Sequence, residues 1–118
     1  EVGVLARHCS GGLILGFSQA VAKHVVLKPD TAREASAEDV SFASPWNQLE
    51  AGILFALRIP LLVVCEQGIT GGVFDPGAGE HYVNHIDLDL LDDERHGLAL
   101  RSTIHRWSSD VWNHYRAF

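Results

Sequence analysis

Residues 44–65 predict a helix followed at once by a buried strand, and they read S-P-W-N-Q-L-E-A-G-I-L-F-A-L-R-I-P-L-L-V-V-C. Ser44 is a good N-cap, and Pro45 suits the first helical position, where its missing N–H costs nothing. Apolar side chains then recur at helical spacing and form one predicted buried stripe: Trp46, Leu49, Ile53, Leu54 and Leu57. Residues 61–65 are a short apolar run, typical of a parallel strand covered on both faces.

Glu50 is the unusual residue of this segment, because it lies on the predicted apolar stripe. Burying a carboxylate is expensive unless a partner satisfies it. Two interpretations follow. In one, Glu50 is a core carboxylate satisfied by Asn47, Ser44 or a backbone amide. In the other, it is a catalytic carboxylate in a cleft, and Ser44 and Asn47 orient it or the substrate.

The composition restricts the class of protein. A chain of 118 residues with 47% hydrophobic and 20% charged residues is typical of one soluble domain with a real core. The net charge of −6 argues against a nucleic-acid partner, which requires clustered Lys and Arg. No apolar run is long enough to span a membrane. Cys9 and Cys65 stand in apolar contexts without a C-x-x-C pair, so we expect both thiols to be reduced and buried, as in a cytoplasmic protein.

The rest of the chain predicts one α/β domain whose mostly parallel sheet is flanked by helices. Strands are expected at residues 1–6, 25–27, 61–65 and 82–88, a short helix at 18–24 and a closing helix at 98–118. The apolar residues 13–17 fit either a strand or a helix. Two polar or glycine-rich segments, residues 28–40 and 66–80, are expected to be irregular loops that bury little apolar surface and are the least ordered.

Few residues outside the central helix are candidates for ligand binding, metal binding or catalysis. Arg7 and His8 follow the first predicted strand, where the ligand crevice of a parallel sheet lies. His81 and His85 have H-x-x-x-H spacing but fall in a loop and a strand, so we expect no metal site. The chain contains no G-x-S-x-G nucleophile elbow. Trp46 either borders the cleft and stacks on a base or packs in the core.

Residues 44–50, S-P-W-N-Q-L-E, resemble the S-x-W-C-x-x-E motif of TIR domains, and residues 59–63 are similar to their I-P-hydrophobic strand. The resemblance implies a flavodoxin-like fold. In TIR domains that cleave NAD the motif glutamate is catalytic, so the resemblance implies that role for Glu50. NAD is then a substrate and no bound cofactor is needed. Such members generally oligomerise, which implies a homo-oligomer here.

Two alternatives to an NAD-cleaving enzyme stay open. In the first alternative, the resemblance indicates a non-catalytic TIR-like module that signals by self-assembly or senses a nucleotide. Nucleoside 2-deoxyribosyltransferases share the layout, with a glutamate on a helix acting at a ribosyl C1′. Because 43 residues precede Ser44, too few for all the earlier strands and helices of a TIR domain, we expect either that the first strand or two of that fold are absent or that the chain resembles a divergent TIR-like branch. The substrate-side residues expected on this basis are Ser44, Trp46, Asn47, Arg7 and His8.

Overall fold

A three-stranded parallel sheet forms the centre of the computed structural model, which describes residues 2–77, 79 and 81–117. Its strands are β1 (Gly12–Gly16), β4 (Leu61–Glu66) and β5 (Tyr82–Ile86), in the order β1-β4-β5. Strand β4 pairs with β1 from Leu61 to Cys65 and with β5 from Leu62 to Glu66. Its first five residues are buried, which confirms the prediction of a covered parallel strand at 61–65.

Helices cover both faces of this sheet. Helix α2 (Pro45–Ala56) packs on one face and helix α3 (Glu94–Arg116) on the other. The Ser44 Oγ accepts a hydrogen bond from the Trp46 N–H at 3.2 Å, so the predicted N-cap is confirmed. Asp93 caps α3 in the same way, through the His96 N–H at 3.0 Å, and starts that helix four residues before its predicted beginning. The predicted α/β class is confirmed.

Two apolar cores lie on the two faces of the sheet. The core on the α2 side contains Ile14, Ala51, Leu61, Val63, Cys65, Ile69 and Phe74. The core on the α3 side contains Leu62, Val64 and Ile86, with Leu100 and Trp107 packed against them. The indole N–H of Trp107 donates to the Pro60 carbonyl at 3.0 Å. This bond fixes α3 against the start of β4.

The strand predicted at residues 1–6 is wrong, because Val2–Ala6 forms a short helix, α1; residue 1 lies outside the described residues. The backbone N–H groups of Arg7, His8 and Cys9 bond back to the carbonyls of the preceding turn. A run as short as V-G-V-L-A has no clear period, so its apolar character does not distinguish a helix from a strand. The first strand is β1, which settles the open assignment of residues 13–17.

A hairpin replaces the short helix predicted at 18–24 and most of the loop predicted at 28–40. Strand β2 (Ala20–Leu27) pairs antiparallel with β3 (Ala35–Phe42) in a separate two-stranded sheet. The predicted strand at 25–27 is therefore present, but it does not join the parallel sheet. Lys28 and Asp30 adopt φ values of 50° and 60°, which reverse the chain between the strands. None of the sixteen strand residues is buried.

The buried side of α2 differs from the predicted stripe. Ala51 is 1% exposed, whereas Trp46 is 68% and Leu49 is 53% exposed. The helix contacts the sheet through Ala51 and Leu54, and it lies so close to β1 that a Cβ at Gly12 would collide with the Leu54 side chain. Glu50 is consequently half-buried at the side of the contact and not within an apolar stripe.

The loop between β4 and β5 packs more tightly than the sequence predicts. Ile69 is 1% and Phe74 is 3% exposed, and both belong to the core on the α2 side. A 3-10 turn, Gly72–Phe74, places the phenyl ring there. The expectation that residues 66–80 bury little apolar surface is therefore wrong for the described part of that segment, which excludes Ala78 and Glu80.

The two cysteines are both free thiols, but only one is buried. Cys65 lies in the core, and Cys9 is exposed after α1, contrary to the expectation that both are buried. Burial, followed by the nearby charge of Asp75, raises the pKa of Cys65 from 9.0 to about 11. No helix within the described residues combines the length and the apolar character needed to cross a membrane.

The cysteine environments predict selective labelling. A thiol reagent at pH 8 is expected to modify Cys9 in the folded protein and to leave Cys65 unmodified, because the thiolate is the reactive form and Cys65 is shielded and protonated at that pH. Denaturant should release the second equivalent. A Cys9→Ser variant is the control and should show no rapid labelling. Fast modification of both thiols in the native state would contradict the burial of β4.

Candidate functional site

The first turns of α2 lie at the carboxyl end of the parallel sheet. Helix α2 begins directly after β3, and the Gln19 N–H bonds to the Phe42 carbonyl at 2.8 Å. The Ser18 N–H donates to Glu66 Oε1 at 2.8 Å, which links the chain beyond β1 to the last residue of β4. Ligands of open α/β sheets bind in a crevice beyond the carboxyl ends of the strands. Ser44 is therefore placed where a ligand crevice is expected.

Glu50 lies on the side of α2 that is directed towards β1. Successive residues of a helix are rotated by about 100°, so Glu50 and Leu54 share one flank of Ala51. Leu54 packs against Gly12 of β1, and β1 is an edge strand of the described sheet. The flank of α2 that carries Glu50 is therefore the one on the β1 side of the helix.

The carboxylate of Glu50 has no partner within the part of the chain that the structure describes. It forms no hydrogen bond or ion pair with the residues that the structure describes, although the side chain is half-buried. The Ser44 hydroxyl, one proposed partner, instead accepts the Trp46 N–H. The interpretation of Glu50 as a satisfied core carboxylate therefore lacks the contacts it requires. The group can accept hydrogen bonds from a bound molecule or face a developing positive charge.

The other predicted site residues fall into two groups. Trp46 and Asn47 lie in the first turn of α2 beside Ser44, with Trp46 exposed and Asn47 half-buried. Arg7 and His8 are exposed in the turn that leads into the amino end of β1. A five-residue strand spans about 16 Å, so the structure does not bring this second group to the first within one chain.

Comparison with protein-family models, curated proteins and solved structures gives no match for this chain. Evidence for its function therefore comes from the positions and contacts of its own residues.

Gln48 is a residue that the sequence analysis did not single out. Its Nε2 donates to the Gly71 carbonyl, and its Oε1 accepts from the Val73 N–H, each at 3.0 Å. These two bonds hold α2 to the loop after β4, where Gly72 adopts a φ of 58°. The amide and the pattern of glycines were visible in the sequence, but their pairing depends on a contact between residues more than twenty positions apart.

Two cavities lie on the other flank of α2. One, of about 290 Å³, is bordered by Gln48, Ala51, Phe55 and His81. The second, of about 730 Å³, is at the amino end of β4, and its charged lining residues are Arg58 and Asp110. Glu50 lines neither cavity. Neither space therefore serves the predicted site.

The histidines at 81 and 85 hold the loop after β4 in place. The ring Nε2 of His81 lies 2.9 Å from the Val73 carbonyl oxygen, and that of His85 lies 3.0 Å from the Ile69 carbonyl oxygen. A carbonyl oxygen only accepts, so each Nε2–H is the donor. Across the described ranges, no three His, Cys, Asp or Glu side chains come together as a metal site would require. The absence of a metal stays a prediction.

We expect removal of the Gln48 side-chain amide to cause a moderate loss of stability. Gln48→Ala deletes two hydrogen bonds at a solvent-accessible position and leaves two backbone groups without those partners, so we expect a loss of about 1–2 kcal/mol in the free energy of unfolding. Urea denaturation measures it. Gln67→Ala, at an exposed position in the same loop, is the matched control and should change the free energy little. Equal effects of the two substitutions would contradict the role of Gln48 in holding α2 to the loop after β4.

Proposed function

We propose that the chain cleaves the nicotinamide–ribose N-glycosidic bond of NAD, with Glu50 as the catalytic carboxylate. One observation carries the proposal: the half-buried Glu50 carboxylate has no partner among the described residues. Its helix starts with the residues that resemble the TIR motif, and Ser44 caps that helix. NAD is the substrate in this account, and no further cofactor is required.

The chemistry needs few protein groups. Cleavage passes through an oxocarbenium-like transition state in which positive charge grows on the ribose. A fixed carboxylate beside that charge stabilises it, or accepts hydrogen bonds from the ribose hydroxyls. Nicotinamide leaves as a neutral molecule with the bonding electron pair, so no strong general acid is needed, and water then adds to C1′ and loses a proton to the solvent to give ADP-ribose. One glutamate can therefore perform the work for which glycosidases use two carboxylates.

The remaining residues of the first turn have supporting roles in this proposal. Asn47 is half-buried one turn before Ala51 and can orient a ribose hydroxyl through its side-chain amide. Trp46 is 68% exposed, so its ring is available to stack on a base and is not used in the core. Arg7 and His8 lie at the other end of β1 and have no role within the same chain.

A second candidate function is a non-catalytic TIR-like module that self-assembles or senses a nucleotide. The observation that favours it is that Glu50 lines neither of the two cavities beside α2. A single chain then lacks one wall of a catalytic cleft. Assembly into a homo-oligomer would supply that wall under the first proposal and would be the function itself under the second.

Incubation with NAD at high protein concentration, with and without a crowding agent, tests the two candidates. Under the enzymatic proposal, chromatography detects free nicotinamide that increases with time and with protein concentration. Under the second candidate, NAD or another nucleotide changes the melting temperature and remains intact. Cleavage by a Glu50→Gln variant at the rate of the unmodified protein would overturn the proposed role of Glu50.

A further inference from the structure

Strand β1 ends the sheet with an unusually apolar free edge. It pairs with β4 on one side, and no described strand pairs with its other side. Its sequence, G-L-I-L-G, carries no charge and no proline, the residues that normally prevent exposed edges from associating. Leu13 is 51% and Leu15 is 48% exposed, although their register partners Leu62 and Val64 are buried in the core on the α3 side.

The chain exposes more surface than a monomer of its size. Its accessible surface is 8343 Å². A compact monomer of 12.9 kDa exposes about 6,300 Å². The radius of gyration is 16.1 Å, against about 13.5 Å for a compact domain of this length. The excess is about 2,000 Å² per chain, and it includes the surface of the hairpin of β2 and β3, none of whose sixteen strand residues is buried.

The residues of β1 are self-complementary in an antiparallel pair. The sequence reads the same in both directions, so antiparallel pairing about Ile14 sets Gly12 of one copy opposite Gly16 of the other. The same register sets Leu13 of each copy opposite Leu15 of the other copy. Since both leucines lie on the α3 side, four leucines would form one apolar cluster there. A two-fold interface requires this kind of self-matching surface.

We propose that two copies of this chain join through the free edges of β1 and form a continuous six-stranded sheet. The pairing satisfies the edge N–H and C=O groups of both strands and covers the exposed halves of Leu13 and Leu15. The flank of α2 that carries Glu50 is the one on the β1 side of the helix, so in this dimer the second copy lies on the Glu50 side of α2.

Solution mass and a register-specific cross-link test this interface. Light scattering at micromolar concentration should give about twice 12.9 kDa. In a Cys9→Ser background, chains with Leu13→Cys are mixed with chains with Leu15→Cys and oxidised. Opposed positions lie about 5 Å apart between Cα atoms and can form a disulfide, whereas the diagonal 13–13 and 15–15 pairs lie about 7–8 Å apart and bridge poorly.

The mixture should therefore cross-link several-fold more than either variant alone. Leu13→Lys with Leu15→Lys should give a monomer, and Leu98→Lys, at an exposed position on α3, should leave the dimer intact. Circular dichroism of each variant separates loss of pairing from loss of folding. A monomeric unmodified chain overturns the proposal. So does a dimer without the 13–15 cross-link, which would place the contact on another surface such as the hairpin.

Discussion

Glu50→Gln is expected to lower NAD cleavage by about 100-fold or more, the usual cost of removing a preorganised electrostatic stabiliser. Glutamine keeps the shape of the side chain and its ability to accept a hydrogen bond, but it removes the negative charge. The charge is what faces the developing oxocarbenium ion in the proposed reaction. Turnover is measured as nicotinamide released per protein molecule at saturating NAD.

The melting temperature of the same sample distinguishes the catalytic from the structural role of Glu50. The carboxylate is half-buried and has no partner among the residues that the structure describes, so its neutral replacement should hold or raise the melting temperature. A structural carboxylate would behave in the opposite way, with a lower melting temperature and unchanged turnover. Glu38→Gln, on the exposed hairpin, is the matched control and should leave both quantities unchanged.

Leu62→Ala is expected to have the largest effect on stability, with a loss of about 2–5 kcal/mol in the free energy of unfolding. Leu62 is 2% exposed in the central strand and packs with Val64 and Ile86 beneath α3. The truncation removes apolar contacts and leaves a cavity between two rigid layers. Such a loss is a large part of the stability of a domain of this size.

Urea denaturation of Leu62→Ala beside Leu98→Ala measures this cost. Leu98 lies on α3 and is 59% exposed, so the same chemical deletion there should cost only a fraction as much. Similar losses for the two variants would contradict the placement of β4 at the centre of the sheet.

The segment from Ser44 to Cys65 was predictable because its signals are local. A serine cap, a proline in the first turn and an apolar run after a second proline each act within a few residues. The same holds for the closing helix, although its true start depends on the Asp93 cap. These local signals predict the α/β fold class without reference to any long-range contact.

The elements that were predicted wrongly depend on distant partners. Residues 20–27 and 35–42 are strands because they pair with each other across a seven-residue turn, and neither half carries a strong periodic signal alone. The buried side of α2 could not be predicted either. It is set by the close approach of Leu54 to Gly12, so that large apolar residues such as Trp46 remain outside.

The candidate site was predictable in part for the same reason. Ser44, Asn47 and Glu50 share the first turns of one helix, so their proximity follows from helical geometry. A strand directly before Arg7 and His8 would place these residues at the crevice. With a helix in that place, they precede β1 and lie at its amino end.

The most direct test of the proposed function is to identify which bond of NAD breaks. Proton NMR of NAD incubated with concentrated protein follows the ribose C1′ proton beside nicotinamide. We expect that signal to disappear as free nicotinamide and ADP-ribose appear in equal amounts, and to persist with Glu50→Gln. Intact NAD at every protein concentration, or cleavage of the pyrophosphate into two mononucleotides, would contradict the assignment of Glu50 to glycosidic-bond cleavage.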